Sequence, residues 1–204
     1  MGKNKYLKEI EHLFDKSAVV NYSSITRLIR SKNKVKYYPK RIINYLISKG
    51  RIKKLTKGYY TKTDNISLSV YCFQPAYLGL QDSLSHHNIW EQETIPIIIT
   101  GKKVRTGIRR ILGKNVLLRR IQKKYFFGIE YTLENGLAIP YSDIEKTFLD
   151  MVYFKEKLSE DVLSQFKKRM DKKKLRRYLK LYPKRIKSIV ENYLLKGRKG
   201  DKII

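Results

Sequence analysis

The sequence predicts an α+β chain built as an N-terminal winged helix-turn-helix, a small sheet-plus-helix domain and a basic helical C-terminus. Three observations carry that prediction. Two short apolar-striped helices and a basic, glycine-turned hairpin lie between Tyr22 and Lys62; β-branched and aromatic runs punctuated by turn residues follow from Ile95 to Tyr141; and the chain from Ser159 onward is helical in period and rich in Lys and Arg. The expected divisions are 1–64, 65–155 and 156–204, with Thr63 to Ser67 as a polar connector.

Leu7, Ile10, Leu13 and Phe14 recur at helical spacing and mark a first helix. Ile25, Leu28 and Ile29 mark a second, and Ile42, Ile43, Leu46 and Ile47 stripe a third, whose opposite face carries Lys40, Arg41, Asn44 and Ser48. Pro39 suits the first turn of that third helix, and Gly50 stands where a C-terminal glycine cap belongs. Arg51 to Leu55 and Gly58 to Lys62 then form a hairpin around Thr56-Lys57-Gly58. Beyond the connector, Pro75 precedes a helix near Gln81 to His87, and Ile95 to Thr100 has the length and composition of a buried strand. Val116 to Ile121, Tyr125 to Tyr131 and Leu137 to Tyr141 read as further strands, the last two joined by a turn at Glu134-Asn135-Gly136. Ser142 with Glu145 has the spacing of a capping box, and Ile144, Phe148, Leu149 and Val152 line one face of the helix that follows. Leu175, Tyr178 and Leu179, then Ile186, Ile189, Val190, Tyr193 and Leu194, indicate two or three short helices punctuated by Pro183 and Gly197, with a charged tail from Lys196 to Lys202.

Charge narrows the class of partner. Forty-six Lys and Arg against 18 Asp and Glu give a formal charge of +28 over 204 residues, and 42% hydrophobic content is ample for a core. Such an excess repels itself unless an anionic partner screens it, and nucleic acid is the leading candidate. An anionic membrane surface is the rival, yet no apolar run approaches the roughly 18 residues of a membrane span. The start MGKNKYLKE has no apolar signal core, and Tyr6 stands where a myristoylation signal needs Ser or Thr, so a cytoplasmic location and no membrane partner are expected. A single cysteine, Cys72, excludes an intrachain disulfide and a cysteine-built zinc site; between Tyr71 and Phe73 it reads as a small buried residue. The stretch from Lys102 to Lys124 carries ten basic residues and no acid, while Glu130, Glu134, Asp143, Glu145 and Asp150 follow with only Lys146 among them.

Catalytic and metal roles are not expected. His86 and His87 beside Ser85 invite both, but successive helical side chains point about 100° apart and the chain has one other histidine, His12. Asp143, Glu145 and Asp150 do not make a cation site if Glu145 serves the cap. No glycine-rich phosphate loop is present, no cofactor is expected, and no positioned nucleophile and base are visible. DNA-binding candidates are Tyr37, Tyr38, Lys40, Arg41, Asn44 and Ser48 on or beside the third helix and Lys53, Lys54 and Lys57 on the hairpin. Lys102, Lys103, Arg105, Arg109 and Arg110 in the basic strip complete the set. Tyr59 and Tyr60 interleave with these cations, as aromatic side chains that stack on bases do and as core residues also do.

The order Lys57-Gly58-Tyr59-Tyr60, Pro75-Ala76-Tyr77-Leu78-Gly79-Leu80, the helix from Ser83 to Trp90, Ile95 to Thr100 and Ile144-Glu145-Lys146-Thr147-Phe148-Leu149-Asp150 resembles the AbiEi abortive-infection antitoxin family over roughly residues 5 to 155. The resemblance implies an N-terminal winged helix that binds double-stranded DNA at repeats in its own promoter. It also implies a C-terminal domain that antagonises a nucleotidyltransferase toxin, the functional partner encoded beside it. A regulator with antitoxin activity is therefore expected. The alternative is a general nucleic-acid-binding protein, including one for RNA, that uses the winged helix as a charged platform.

Overall fold

In the computed structural model, which describes residues 6–30, 38–92 and 94–195, the chain is α+β and divides into two compact units. One comprises residues 1–73 with 110–115, and the other residues 74–109 with 116–204.

In the first unit α1 (Leu7–Lys16) buries Leu7, Ile10 and Phe14, α2 (Tyr22–Arg30) buries Ile25 and Ile29, and α3 (Tyr38–Ser48) buries Ile42, Ile43 and Leu46. These side chains share one core. Ile47, expected in that stripe, is 36% exposed, because it lies about 100° around the helix from Leu46, at the margin of the apolar face. Gly50 closes α3 with φ +65°, its N–H donating to the Ile47 carbonyl and that of Arg51 to Leu46, both at 2.9 Å. Strands β1 (Val20–Asn21), β2 (Lys53–Thr56) and β3 (Tyr59–Thr61) pair antiparallel in the order β1-β3-β2. Asn21 also caps α2, its side-chain oxygen accepting from the Ser24 N–H at 2.7 Å. The expected polar connector is irregular from Thr63 to Asn65 and then enters a 3-10 segment, Ile66–Phe73, that buries Leu68, Val70 and Cys72. The first unit runs to residue 73, where the expected division was at 64.

The second unit holds most of a six-stranded sheet in the order β6-β7-β5-β4-β9-β8, comprising β4 (Ala76–Leu78), β5 (Ile97–Thr100), β6 (Gly107–Ile111), β7 (Lys114–Arg120), β8 (Ile129–Glu134) and β9 (Leu137–Ser142). β4 runs antiparallel to β5 and parallel to β9, β5 parallel to β7, and β8 antiparallel to β9. Three expectations shift. Strand β5 starts at Ile97 because Pro96 cannot donate to the ladder and Ile95 is 40% exposed. The segment expected as a strand over Tyr125 to Tyr131 begins as a 3-10 turn, Lys123–Tyr125, and becomes extended only at Ile129, after Gly128 at φ +65°. Strands β4 and β6 are additional.

Helix α4 (Gln81–His86) follows β4, and α5 (Ile144–Phe154) follows β9. The cap of α5 is Asp143, whose carboxylate accepts from the Lys146 N–H at 2.7 Å; the Ser142–Glu145 capping box does not form. Ser142 is the last residue of β9, with its buried hydroxyl bonded to Ser83 and Thr147 at 2.9 and 2.8 Å. Helices α6 (Glu160–Arg169), α7 (Lys172–Leu179) and α8 (Lys184–Leu195) do not form a separate extension. Val162, Leu163, Phe166, Leu175 and Val190 join Phe148 and Leu149 in one core, with Phe148 and Phe166 ring centroids 5.1 Å apart. Their narrow apolar stripes, diluted by exposed Lys and Arg, hide this packing in the sequence.

Candidate nucleic-acid interface

The two faces of α3 differ sharply. Pro39, Ile42, Ile43 and Leu46 are buried, whereas Lys40, Arg41, Asn44 and Ser48 are exposed along the opposite side. Arg41, Asn44 and Ser48 follow one another at three- and four-residue steps, so they share one side of the helix. The Ser48 hydroxyl donates to the Tyr45 carbonyl of its own helix at 2.9 Å. Tyr38 is half-buried and meets the Tyr6 ring edge-on, with centroids 5.6 Å apart and planes at 77°, which makes it a packing residue at the start of α3. Tyr37 lies outside the described residues.

The hairpin is tied to α2 by its turn glycine. Gly58, at φ +81°, gives its carbonyl to the Tyr22 N–H at 2.7 Å, and Lys57 and Lys54 stand exposed beside it. Lys53 is drawn into a pair with Asp64. Arg51 pairs with Glu11 at 2.8 Å and Lys62 with Asp15 at 2.6 Å, so acids of this unit are committed to cations away from α3. Among the described residues none of Lys40, Arg41, Lys54 and Lys57 has an acidic partner.

Lys102, Lys103 and Arg105 are exposed in the turn after β5. The Arg109 guanidinium donates to the Arg105 carbonyl at 2.7 Å and that of Arg110 to Gly113 at 3.3 Å, which holds both against backbone. The two sets of candidates belong to different units: Lys102 to Arg109 to the second, and Arg110 with the hairpin tip to the first.

The second unit contains a charge cluster that sequence reading missed. Every side chain from Glu145 to Val152 is buried, so α5 has no polar face. Lys146 pairs with Asp150, both fully buried; the Tyr77 hydroxyl donates to Asp150 at 2.7 Å, and the ammonium lies over the Tyr77 and Phe127 rings at 5.4 Å. Burial pulls the Lys146 ammonium down and pushes the Asp150 carboxyl up, each opposed by the other's charge. Burial also opposes the charge on Lys174, but its contacts to Glu145 at 2.9 Å and Asp143 at 3.1 Å outweigh this and hold its pKa up. Glu145 further accepts from the Asp171 N–H at 2.7 Å, joining α5 to the start of α7. Gly128 backs onto this cluster. A Cβ there would lie 2.8 Å from the Lys146 Cβ, so the position admits only glycine without rearrangement.

Two smaller features complete this unit. Asp82, Ser85, Asn88, Trp90, Glu91 and Thr94 line most of an open cavity of about 470 Å³, in which burial pushes the Asp82 carboxyl up to about 7 against the Ile97 N–H donating to it at 3.3 Å. His86 and His87 come together with Glu130 of β8, although the expectation from adjacent helical positions is that they diverge. His87 is the C-cap of α4, its N–H still donating to the Ser83 carbonyl at 2.9 Å.

No family model matches the chain, and no curated protein matches it at a significant level. Among solved structures, that of the Rv2827c protein from Mycobacterium tuberculosis is similar. It has 14% sequence identity and a TM-score of 0.59, over 88% of this chain and 72% of that one. At that identity the likeness concerns the fold. Among the described residues no helix is long and apolar enough to cross a membrane.

Proposed function

We propose that the chain is a sequence-specific DNA-binding regulator whose first unit is a winged helix-turn-helix. The observation that carries this reading is the face of α3 made by Lys40, Arg41, Asn44 and Ser48, exposed and, among the described residues, free of acidic partners, beside a short sheet that offers Lys54 and Lys57. The order of α1, β1, α2, α3, β2 and β3 is the one expected of such a domain and supports this reading. In this reading α3 enters the major groove. Arg41 has the geometry to donate twice to a guanine edge, Asn44 pairs with adenine, and Lys54 and Lys57 hold phosphate. Lys102, Lys103 and Arg105 add phosphate contacts without sequence preference. The resemblance to AbiEi antitoxins supports a promoter as the target and assigns the second unit to antagonism of a nucleotidyltransferase toxin.

The test is a footprint of the full chain on the DNA upstream of its own gene. A protected, repeated sequence is expected, with a log-log salt slope steeper than about −5, since each released counterion contributes about 0.9 for duplex DNA. Equal affinity for that DNA, unrelated DNA and duplex RNA would overturn the regulator reading in favour of a general nucleic-acid binder. Antitoxin activity is tested separately by co-expression with a neighbouring nucleotidyltransferase. An Arg41→Ala chain should still protect cells, and a loss of protection would reduce the second unit's role to support of repression.

A further inference from the structure

We propose that His86, His87 and Glu130 form a binding site for one divalent transition-metal ion of the zinc class. One ligand atom from each of the three lies within 4.8 Å of the others. Several independent features bring them there. Helix α4 ends at His86, with His87 as its C-cap at φ −84° and ψ 6°, and the two rings stand 5.1 Å apart. The His86 ring stacks on Tyr141 at 3.8 Å with planes 3° apart. In the β8–β9 ladder Tyr141 is directly opposite Glu130, which puts their side chains on the same face of the sheet.

Both imidazoles are held by the contacts that metal-bound histidines use. His87 Nε2 lies 2.7 Å from the Ser142 carbonyl, which can only accept, so that nitrogen carries the proton and Nδ1 keeps its lone pair in the neutral ring. His86 Nε2 has the Thr132 hydroxyl at 3.0 Å. Glu130 is the opposite case. Its carboxylate is 49% exposed, makes no hydrogen bond among the described residues, and stands 3.7 Å from His87 Nε2, beyond hydrogen-bond distance. A free carboxylate beside two oriented imidazoles is the part of the set able to close on an ion, at bonds of about 2.0–2.2 Å.

Two nitrogens and one oxygen select zinc, cobalt, nickel or copper over magnesium and calcium, which prefer all-oxygen shells. Three protein ligands leave at least one position for water. β8 is the edge strand of its sheet, so the ion would clip that edge to the end of α4.

The experiment uses the full chain after chelator treatment, titrated with zinc ion by calorimetry and with cobalt ion by visible absorption. One ion per chain is expected, with a cobalt spectrum of a nitrogen and oxygen shell that Cys72→Ser leaves unchanged. Glu130→Gln should weaken binding by at least ~10-fold while leaving the metal-free melting curve in place, because the side chain is exposed and unbonded. Thr132→Val, which removes only the partner of His86, should weaken it by ~10-fold. Absence of a saturable site, zinc affinity unchanged in Glu130→Gln, or a thiolate band that vanishes with Cys72→Ser would each overturn the proposal.

Discussion

The two units treat charge in opposite ways. In the first unit the buried polar side chains among the described residues are Thr61 and Ser69, and the α3 cations face solvent without acidic partners. In the second unit Asp143, Glu145, Lys146 and Asp150 are all buried on or at the start of α5. A cation that faces water without a partner costs the fold little and is available to an anion. A buried pair contributes little net stability over an apolar core of the same volume, but it tolerates only one arrangement of its surroundings. The difference separates a surface suited to binding from an interior suited to fixing one packing of α5, α7 and the sheet.

The strongest way to break this comparison is to leave one charge of the buried pair alone. Lys146→Ala strands Asp150 and should cost about 3–5 kcal/mol in the second unit. Lys146→Met with Asp150→Leu, and Tyr77→Phe so that no hydroxyl is left unpaired, should recover most of that loss. Trp90, the sole tryptophan, reports unfolding of the second unit by fluorescence. Cys72, whose thiol burial pushes up to about 12, reports opening of the first by its reactivity. Denaturant curves read by both probes should therefore show the Trp90 transition moving and the Cys72 transition staying. A loss below about 1 kcal/mol in Lys146→Ala would mean that the cluster is wet and does not fix the packing.

What could be read in the sequence follows the same division. The face of α3 was legible because burial and exposure alternate there at the helical period, and Gly50 and Gly58 were legible because each supplies a positive φ that its turn requires. Cys72 is buried as its apolar neighbours imply. The helix α5 was read correctly as a helix but with the wrong environment. A helical pattern containing Glu, Lys, Thr and Asp implies a solvent face, and only the pairing of those residues across α7 and Tyr77 lets the whole surface be buried. Its cap was misread for a local reason: Ser142 and Asp143 are both good capping residues, and the choice depends on where β9 ends. Strands β4 and β6 are too short or too charged to announce a period of two. The approach of Glu130 to His86 and His87 depends on strand register, which spacing along the chain does not encode.

On the first unit the matching substitution is Arg41→Ala. The side chain is exposed and without an acidic partner, so unfolding free energy should change by no more than about 0.5 kcal/mol. Binding to the upstream DNA should weaken by about 1–3 kcal/mol and lose discrimination at one base. Fluorescence anisotropy with single-base variants of the site measures both. Unchanged affinity would locate the reading surface away from α3, whereas a large loss of stability would show that Arg41 serves the fold and would erase the contrast with Lys146.

The smallest effect sharpens the comparison within the second unit, by separating a buried acid with a cation partner from one without. Among the described residues Asp82 has no cation in place of the ammonium that Asp150 receives from Lys146. Burial raises its folded pKa to about 7 from a reference near 3.8. Between those values the folded chain binds a proton that the unfolded chain has released, so this group's contribution to stability falls as pH rises from about 4 to about 7 and stays low above that. A sealed site would turn that displacement into roughly 4 kcal/mol, but Asp82 borders a cavity open to solvent, where water screens the charge, and about 1 kcal/mol is expected. Asp82→Asn, compared with the native chain by Trp90-detected denaturation at pH 5 and pH 8, should lose about that much less stability over the interval. Parallel curves would mean that Asp82 is charged and hydrated throughout, and that the interior tolerates an unpaired carboxylate only where water reaches it.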